Sequence, residues 1–118
     1  MNYIEHSPWG SFEHLLDCEY CKVKRIIVKP GQRLSYQYHY KRSEAWVVVQ
    51  GEAIVTLDDK EFTYQKGEIV DIEYGTRHRV QNEQEEDLIF IETQTGTYFG
   101  EDDIVRIEDD YGRDGNEN

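Results

Sequence analysis

Cysteine is scarce in this chain, and its scarcity excludes two kinds of site. The sequence holds only Cys18 and Cys21, in a C-x-x-C spacing. A zinc ribbon needs a second pair of cysteines, and the sequence offers none. A redox dithiol is expected in a thioredoxin-like βαβ unit, which the surrounding pattern does not predict. We therefore interpret the two residues as reduced cysteines near a turn.

Long apolar runs and an excess of basic residues are also missing. No stretch approaches the length that spans a membrane. The polar segment Met1–Gly10 lacks the apolar core of a signal peptide. The formal net charge is -12, from 13 basic and 25 acidic residues, so a phosphate backbone is repelled at long range. We therefore expect a cytoplasmic protein that binds neither nucleic acid nor a membrane.

The remaining composition is that of one β-rich domain. The chain has 118 residues, the size of one domain, and its 37% of hydrophobic residues suffice for a core. Tyrosine, tryptophan and valine outweigh alanine and leucine, which favours strands over helices. Short alternating stretches separated by glycines indicate an antiparallel barrel or sandwich. We expect a single all-β domain over residues 1–118, in which Gly112–Asn118 forms a frayed tail.

The stretch Gly31–Gly51 contains the most informative polar pattern. Residues i and i+2 of a strand share a face, so Gln37 and His39 project together. A tight turn would return the next strand and place Glu44 beside them, while His78 lies in a second segment flanked by glycine. An amide oxygen, two imidazoles and a carboxylate that converge would bind a divalent metal ion, and the alternative is two core histidines with satisfied hydrogen bonds. These ligand types suit Zn²⁺, Mn²⁺, Fe²⁺, Co²⁺ or Ni²⁺, and their spacing does not choose among them.

Two spacings carry a family resemblance. They are Gly31-x5-Gln37-x-His39-x4-Glu44-x6-Gly51 and Gly67-x5-Glu73-x-Gly75-x2-His78-x3-Asn82. Together they resemble the two signature motifs of the cupin superfamily, in which His and Pro are usual at the positions of Gln37 and Glu73. The resemblance implies a double-stranded β-helix, or jelly-roll barrel.

A narrower resemblance covers nearly the whole chain, from about His6 to Arg113. The run QYHYKRSEAWVVV, from Gln37 to Val49, looks like the signature of type II mannose-6-phosphate isomerases, which usually have Gln at its first position. Further matches are PWGSFE at 8–13, VKRI at 23–26, KPGQRLS at 29–35, GEDDIVR at 100–106 and DDYGR at 109–113. In that family the cupin domain commonly forms the C-terminal part of enzymes that also carry mannose-1-phosphate guanylyltransferase activity. The resemblance implies a metal cofactor, with Zn²⁺ as our first expectation.

Three positions depart from that family and keep other functions open. Tyr40 and Lys41 stand in place of a His-rich run, and Ala45 in place of a further His. The expected activity is the metal-dependent interconversion of mannose 6-phosphate and fructose 6-phosphate, in GDP-mannose and polysaccharide precursor synthesis. The alternatives are a non-catalytic domain that binds a sugar phosphate or sugar nucleotide, and another cupin chemistry such as dioxygenase or epimerase activity.

Such an isomerase needs a base and groups that hold the substrate. Glu92 and Gln94 interrupt an apolar strand. Glu92 is the candidate base, with a solvated edge carboxylate as the alternative, and Gln94 is a candidate contact for the substrate. Trp46 shares the face of Glu44 and is a candidate wall for the sugar ring, with core packing as the alternative. Cationic anchors for the phosphate lie in segments that match the family: Lys24, Arg33, Arg106 and Arg113. Arg113 joins Glu92 as a catalytic candidate, because a tail that folds back would cap the barrel and exclude water.

The face opposite the predicted ligands is aromatic. It carries Tyr36, Tyr38 and Tyr40. If this face lies outside the barrel, a second subunit would cover it, and we therefore expect a homodimer.

Overall fold

Two antiparallel β-sheets form this domain. The structure, a computed structural model, describes residues 3–113, and no helix occurs among them. The strands in chain order are β1 (Tyr3–Ser7), β2 (Gly10–Asp17), β3 (Lys22–Val28), β4 (Tyr36–Tyr38), β5 (Arg42–Gln50), β6 (Ala53–Leu57), β7 (Lys60–Tyr64), β8 (Ile69–Ile72), β9 (His78–Gln81), β10 (Leu88–Gly96) and β11 (Val105–Glu108). The predicted all-β class is confirmed.

The strand order interleaves distant parts of the chain. One sheet has the order β1-β2-β3-β10-β5-β8, and the other has the order β11-β4-β9-β6-β7. Strands β10 and β5 are neighbours although four others separate them in sequence, and β4 pairs with β9 in the same way. This crossing of connections between two facing sheets is the arrangement of a jelly-roll barrel.

The inner face of the larger sheet changes from apolar to charged toward one end. Its strand register gives three successive rows across β3, β10 and β5, and the side chains in all of them are buried. The rows are Ile26–Phe90–Val48, Lys24–Glu92–Trp46 and Lys22–Gln94–Glu44. Because strand residues alternate between faces, each row lies two residues beyond the last. The barrel therefore has an apolar closed end and a charged end.

The apolar end holds the hydrophobic core. Its buried members are Trp9, Ile26, Val28, Trp46, Val48, Ala53, Val55, Val70, Ile72, Val80, Leu88 and Phe90. They come from both sheets, so the core joins the two layers. Trp46 belongs to this core as well as to the charged end, and it therefore links packing to the polar rows.

A close backbone approach fixes the start of β5 at the charged end. Gly96 closes β10 opposite Arg42 in the strand register. A Cβ atom on Gly96 would lie 2.3 Å from the carbonyl oxygen of Lys41 and 2.8 Å from the Cα of Arg42. Only glycine allows this approach, which sets where Arg42 enters the barrel.

Of the three tyrosines on the predicted aromatic face, Tyr36 is covered by other residues of the same chain. Tyr36 is 7% exposed, its hydroxyl donates to Asp59 at 2.6 Å, and the guanidinium of Arg79 lies over its ring. Tyr40, in contrast, is 64% exposed. Tyr36 therefore needs no second subunit, and the homodimer stays a prediction.

The structure describes the predicted frayed tail only as far as Arg113. The backbone N–H of Arg113 donates to the carboxylate of Asp109 at 2.7 Å. The rest of the predicted frayed tail, residues 114–118, lies outside the described range. None of the described residues forms a helix long and apolar enough to cross a bilayer.

Candidate metal centre

Three of the predicted ligands converge at the charged end of the barrel. His39 follows β4, Glu44 lies in β5 and His78 begins β9. One ligand atom from each lies within 4.8 Å of the other two, and all three residues are buried. The Nε2 atom of His39 is 3.2 Å from the Glu44 carboxylate, and the Nε2 atom of His78 is 4.0 Å from it. Both imidazoles are thus aimed at one carboxylate.

Backbone hydrogen bonds orient both imidazoles. The Nδ1 atom of His39 lies 2.6 Å from the carbonyl oxygen of Asp103, and the Nδ1 atom of His78 lies 2.8 Å from that of Thr76. A carbonyl oxygen only accepts, so each Nδ1 carries the proton. The electron pair of each Nε2 atom is therefore left for a partner inside the site, as in metal-binding histidines.

The charges of these groups also suit a cation. Burial alone would raise the pKa of Glu44, but contacts with His39, Arg42 and His78 hold it well below its usual range. Burial lowers the pKa of His78 to about 4, against the attraction of Glu44. At neutral pH the site therefore offers an ionised carboxylate and a neutral imidazole, which are the forms that bind metal ions. Nitrogen and oxygen donors of this kind fit a divalent transition metal.

The fourth predicted ligand, Gln37, lies beside this cluster. It faces His78 across the register of β4 and β9, is half-buried, and lines the same cavity. The i, i+2 relation that places Gln37 and His39 on one face is therefore present in the fold.

Trp46 and Arg42 hold the Glu44 carboxylate in place. The indole Nε1 of Trp46 donates to one oxygen of Glu44 at 2.9 Å, and the Nε of Arg42 donates to the other at 2.9 Å. Trp46 also packs against Phe90 at a ring distance of 4.6 Å and meets His78 edge-on at 5.9 Å. Trp46 therefore packs in the core and also donates a hydrogen bond to the site. Its contact with a sugar ring stays a prediction.

A cavity of about 250 Å³ opens beside these ligands. Its described lining includes the predicted site residues Gln37, His39, Glu44, His78, Trp46, Glu92, Lys24, Arg106 and Arg113. Gln94 is fully buried and is not among the described lining residues, and its amide donates to Glu92 at 2.7 Å. Arg33 also lies outside that lining, in a half-exposed ion pair with Asp110 at 2.7 Å. The structure therefore gathers nine of the predicted residues and leaves Gln94 and Arg33 aside.

Glu92 is a buried acid on the cavity wall. It is 4% exposed, so it is not the solvated edge carboxylate of the alternative interpretation. Burial raises the pKa of Glu92 to about 8, and the negative charge of Glu44 adds to the rise. A carboxyl group with such a pKa exchanges protons near neutral pH.

The cationic groups of the wall are paired with acids. Lys24 donates to both carboxylate oxygens of Glu101 at 2.9 Å, and Lys22 donates to the same carboxylate at 3.2 Å. Arg113 donates from Nε to Asp109 at 2.8 Å. Burial lowers the pKa of Arg106, and the positive charge of Arg113 lowers it further. Two guanidinium groups thus act on each other at one side of the cavity.

Comparisons with known proteins agree with this architecture. The family described as "Mannose-6-phosphate isomerase C-terminal" matches residues 2–109. This chain belongs to that family. The predicted resemblance is thereby confirmed for nearly the whole chain.

Relatives in this family are much longer than the chain. The chain is 46% identical over 113 residues to "Alginate biosynthesis protein AlgA" of Pseudomonas aeruginosa, covering 95% of the chain and 24% of that protein. It is 42% identical over 108 residues to a "Mannose-1-phosphate guanylyltransferase" of Salmonella montevideo, covering 92% of the chain and 23% of that protein. The chain therefore spans about a quarter of the length of these relatives.

Solved structures share the fold at lower identity. The capsular polysaccharide assembling protein CapF of Staphylococcus aureus superposes with a TM-score of 0.78 at 24% identity, over 92% of the chain and 34% of CapF. A Klebsiella pneumoniae protein with a double-stranded beta-helix domain has a TM-score of 0.71 at 21% identity, over 79% of each chain. At these identities the likeness shows the fold, which is that of a cupin domain.

Sequence reasoning missed three residues of the site. Arg42 lies two residues before Glu44, so strand alternation already put it on the ligand face. Asp103 and Glu101 lie in the loop between β10 and β11, and no local pattern predicts that this loop reaches the barrel mouth. Their contacts with His39 and Lys24 are visible only in the fold.

Proposed function

We propose that this domain interconverts mannose 6-phosphate and fructose 6-phosphate with a divalent metal ion held by Gln37, His39, Glu44 and His78. The observation that carries the proposal is the convergence of His39, Glu44 and His78 within 4.8 Å in a cavity that also holds a buried acid and cationic side chains. Membership of the isomerase family supports the same activity.

The metal ion, for which Zn²⁺ is our first choice and Mn²⁺, Fe²⁺, Co²⁺ and Ni²⁺ are alternatives, would polarise the sugar carbonyl and stabilise the charge that develops on its oxygen. His39 and His78 would bind it through Nε2, because their Nδ1 atoms are engaged with carbonyl oxygens. Glu44 would bring the negative charge, and the indole of Trp46 keeps one of its oxygens oriented.

Glu92 is our choice for the group that moves the proton. In the forward direction Glu92 would take the proton from C2 of the open-chain aldose phosphate, so that the electron pair of the C2–H bond forms the C1=C2 bond of an enediol. The hydroxyl proton of O2 passes to O1, C2 becomes the carbonyl carbon, and Glu92 returns its proton to C1. Burial raises its pKa to about 8, which makes it basic enough to accept the proton and acidic enough to return it. Gln94 holds the carboxyl from behind by a hydrogen bond of 2.7 Å.

The substrate phosphate would bind to Arg106 and Arg113, with Lys24 as a further cation. All three line the cavity, and the two arginines act on each other electrostatically, so an anion between them would relieve their repulsion. Arg33 is a weaker choice because its guanidinium is engaged with Asp110 outside the described lining.

The positions that depart from the family do not favour the non-catalytic alternative. Tyr40, Lys41 and Ala45 are not among the described residues that line the cavity. Along β5, Ala45 lies on the opposite face from Arg42 and Glu44, and it is half-buried on the outside of the sheet. Replacing histidine at these three places therefore leaves the cavity wall intact, and we retain the isomerase as the proposed activity.

The cellular setting is part of this proposal. The relatives include "Alginate biosynthesis protein AlgA" and "Xanthan biosynthesis protein XanB". We place the domain in the cytoplasm, in the supply of sugar phosphate for GDP-mannose and polysaccharide precursors.

Turnover of the two substrates tests the proposal. The purified chain is incubated with mannose 6-phosphate and with Zn²⁺, Mn²⁺ or Co²⁺, and fructose 6-phosphate is measured by an enzyme-coupled assay. We expect turnover with at least one metal and none after chelation. Thermal stabilisation by mannose 6-phosphate without turnover under any of these conditions would contradict the isomerase and support the binding-only alternative.

A further inference from the structure

The guanidinium of Arg42 lies among the proposed metal ligands. Its Nε donates to the Oε2 atom of Glu44 at 2.9 Å, and its Nη2 lies 2.9 Å from the same oxygen. The Nη2 atom is also 3.2 Å from the Nε2 of His39. The side chain is 7% exposed, so this position is enclosed by the barrel.

Arg42 uses the electron pair that a metal ion would need from His39. The Nδ1 of His39 carries a proton for the carbonyl of Asp103, so the neutral ring has a single acceptor, the electron pair of Nε2. A guanidinium has no acceptor and can only donate to that pair. The pair serves one partner at a time, so the contact from Arg42 and coordination of a metal by His39 exclude each other.

Charge points in the same direction. Arginine stays protonated in proteins, so Arg42 neutralises the buried Glu44 carboxylate at every working pH. A divalent cation bound by the same carboxylate would stand beside this positive charge in a buried, weakly screened site. The negative charge of Glu44 would therefore attract both the guanidinium and the metal ion, and the two positive groups would repel each other.

Arg42 has a second set of partners within the cavity. Glu92 and Glu101 line the same cavity as Arg42. A guanidinium that leaves Glu44 can therefore turn toward the Glu101 carboxylate and the carboxyl oxygens of Glu92 without becoming an unpaired buried charge, which would be costly.

We propose that Arg42 is an internal competitor for the metal ion: it neutralises Glu44 and caps His39, and metal binding turns it toward Glu92 and Glu101. The inference rests on the metal site of the proposed function and adds to it. Arg42 lowers the affinity for the metal, and binding of the metal moves a guanidinium into the part of the cavity that faces the substrate. Metal loading and the formation of a cationic substrate subsite are then one event.

Metal affinity of two arginine variants tests this inference. Zn²⁺ and Mn²⁺ are titrated, by calorimetry and by competition with a chromophoric chelator, into metal-free wild-type protein, Arg42→Met and Arg79→Met. Arg79, which lies on β9 in the other sheet, is the matched control, because it is 6% exposed and donates to the carbonyl oxygen of Leu34 at 3.0 Å. We expect Arg42→Met to bind each metal about tenfold more tightly or better, because a like charge is removed, and Arg79→Met to bind as wild type.

A second variant and a second readout keep the test decisive if Arg42→Met folds poorly. Arg42→Lys keeps the charge, and we expect its metal affinity to stay near that of wild type while its thermal unfolding by circular dichroism is measured. Imidazole ¹⁵N spectra of metal-free protein should show the Nε2 of His39 as a hydrogen-bonded acceptor in wild type and lose that signature in Arg42→Met.

The outcomes separate this inference from the isomerase activity. Unchanged or weaker metal binding by Arg42→Met overturns the competitor role, because Arg42 would then organise the ligands. Absence of metal binding in wild type and in Arg42→Met overturns the metal site and the inference together. Tighter binding by Arg42→Met without any turnover by wild type would sustain the inference and reject only the isomerase.

Discussion

The imidazole of His39 donates from Nδ1 to the carbonyl oxygen of Asp103, which lies 2.6 Å away and 64 residues later in the chain. The carboxylate of Asp103 in turn accepts the backbone N–H groups of Tyr40 and Lys41 at 3.0 and 2.9 Å. One buried residue of the loop between β10 and β11 therefore fixes both the ring of His39 and the turn that leads to Glu44. The loop acts as an outer support of the metal site.

Replacing Asp103 tests this support. In Asp103→Ala the two backbone N–H groups lose their acceptor, the loop loosens, and the ring of His39 loses its orientation. We expect metal affinity to fall by about 10- to 100-fold, the usual effect of removing such a support. Calorimetric titration with Zn²⁺ measures the change. Asp102→Ala, at an exposed position of the same loop, is the control, and equal affinities for the two variants would contradict the role of Asp103.

His78 gives the direct test of the ligand set. His78→Gln preserves most of the buried volume but replaces the Nε2 electron pair that faces Glu44. We expect metal analysis of the purified variant to show loss of bound metal, while circular dichroism shows the β-structure retained. His14→Gln is the control, because His14 pairs with Glu5 at 2.7 Å outside the ligand cluster. Full metal content in His78→Gln would remove His78 from the site.

Glu92→Gln separates the chemical step from metal binding. The amide keeps the size of the side chain and can still meet Gln94, but it cannot exchange a proton. We expect isomerase turnover to fall by about 10²- to 10⁴-fold, the range for removal of a general base. Metal content should stay at the wild-type level. Glu61→Gln, exposed on β7, is the control, and an active Glu92→Gln variant would move the proton-transfer role to another residue.

Much of this site was predictable because strand geometry is local. Alternation placed Gln37 with His39, and the motif spacings placed Glu44 and His78 near them; all four line one cavity. Trp46 and Glu92 also face the interior, as their positions in the rows of the larger sheet require. These assignments depend on period-2 geometry and on family spacing, both of which a sequence carries.

What the sequence did not predict depends on contacts between distant segments. Arg33–Tyr40 alternates throughout, yet only Tyr36–Tyr38 forms a strand, and Gln37 opposite His78 is the single pair that joins it to β9. Arg33 was a predicted phosphate anchor, but it forms an ion pair with Asp110, which lies 77 residues later in the chain. The loop that carries Glu101 and Asp103 has no periodic pattern, so its approach to the barrel mouth follows only from the finished fold.

The pair formed by Lys24 and Glu101 predicts a pH-dependent contribution to stability. Burial opposes ionisation of Glu101, but the charge of Lys24, with Arg42 and Lys22, outweighs it and lowers the pKa of Glu101. A lowered pKa means that the folded state holds the ionised form more strongly than the unfolded chain, whose Glu pKa is about 4.3. The stabilisation is therefore complete above that pH and is lost as the pH falls through the lowered pKa.

Glu101→Gln measures this contribution. The Glu101 side chain is 47% exposed, so water screens the pair, and we expect the free energy of unfolding at pH 7 to fall by about 1 kcal/mol. Urea unfolding at pH 7 and at pH 3 should show this difference shrink at the lower pH. Glu85→Gln, in an exposed loop, serves as the control. An equal loss of unfolding free energy at both pH values would contradict a role for the charge. Glu101 would then stabilise the fold through packing, which does not depend on its ionisation.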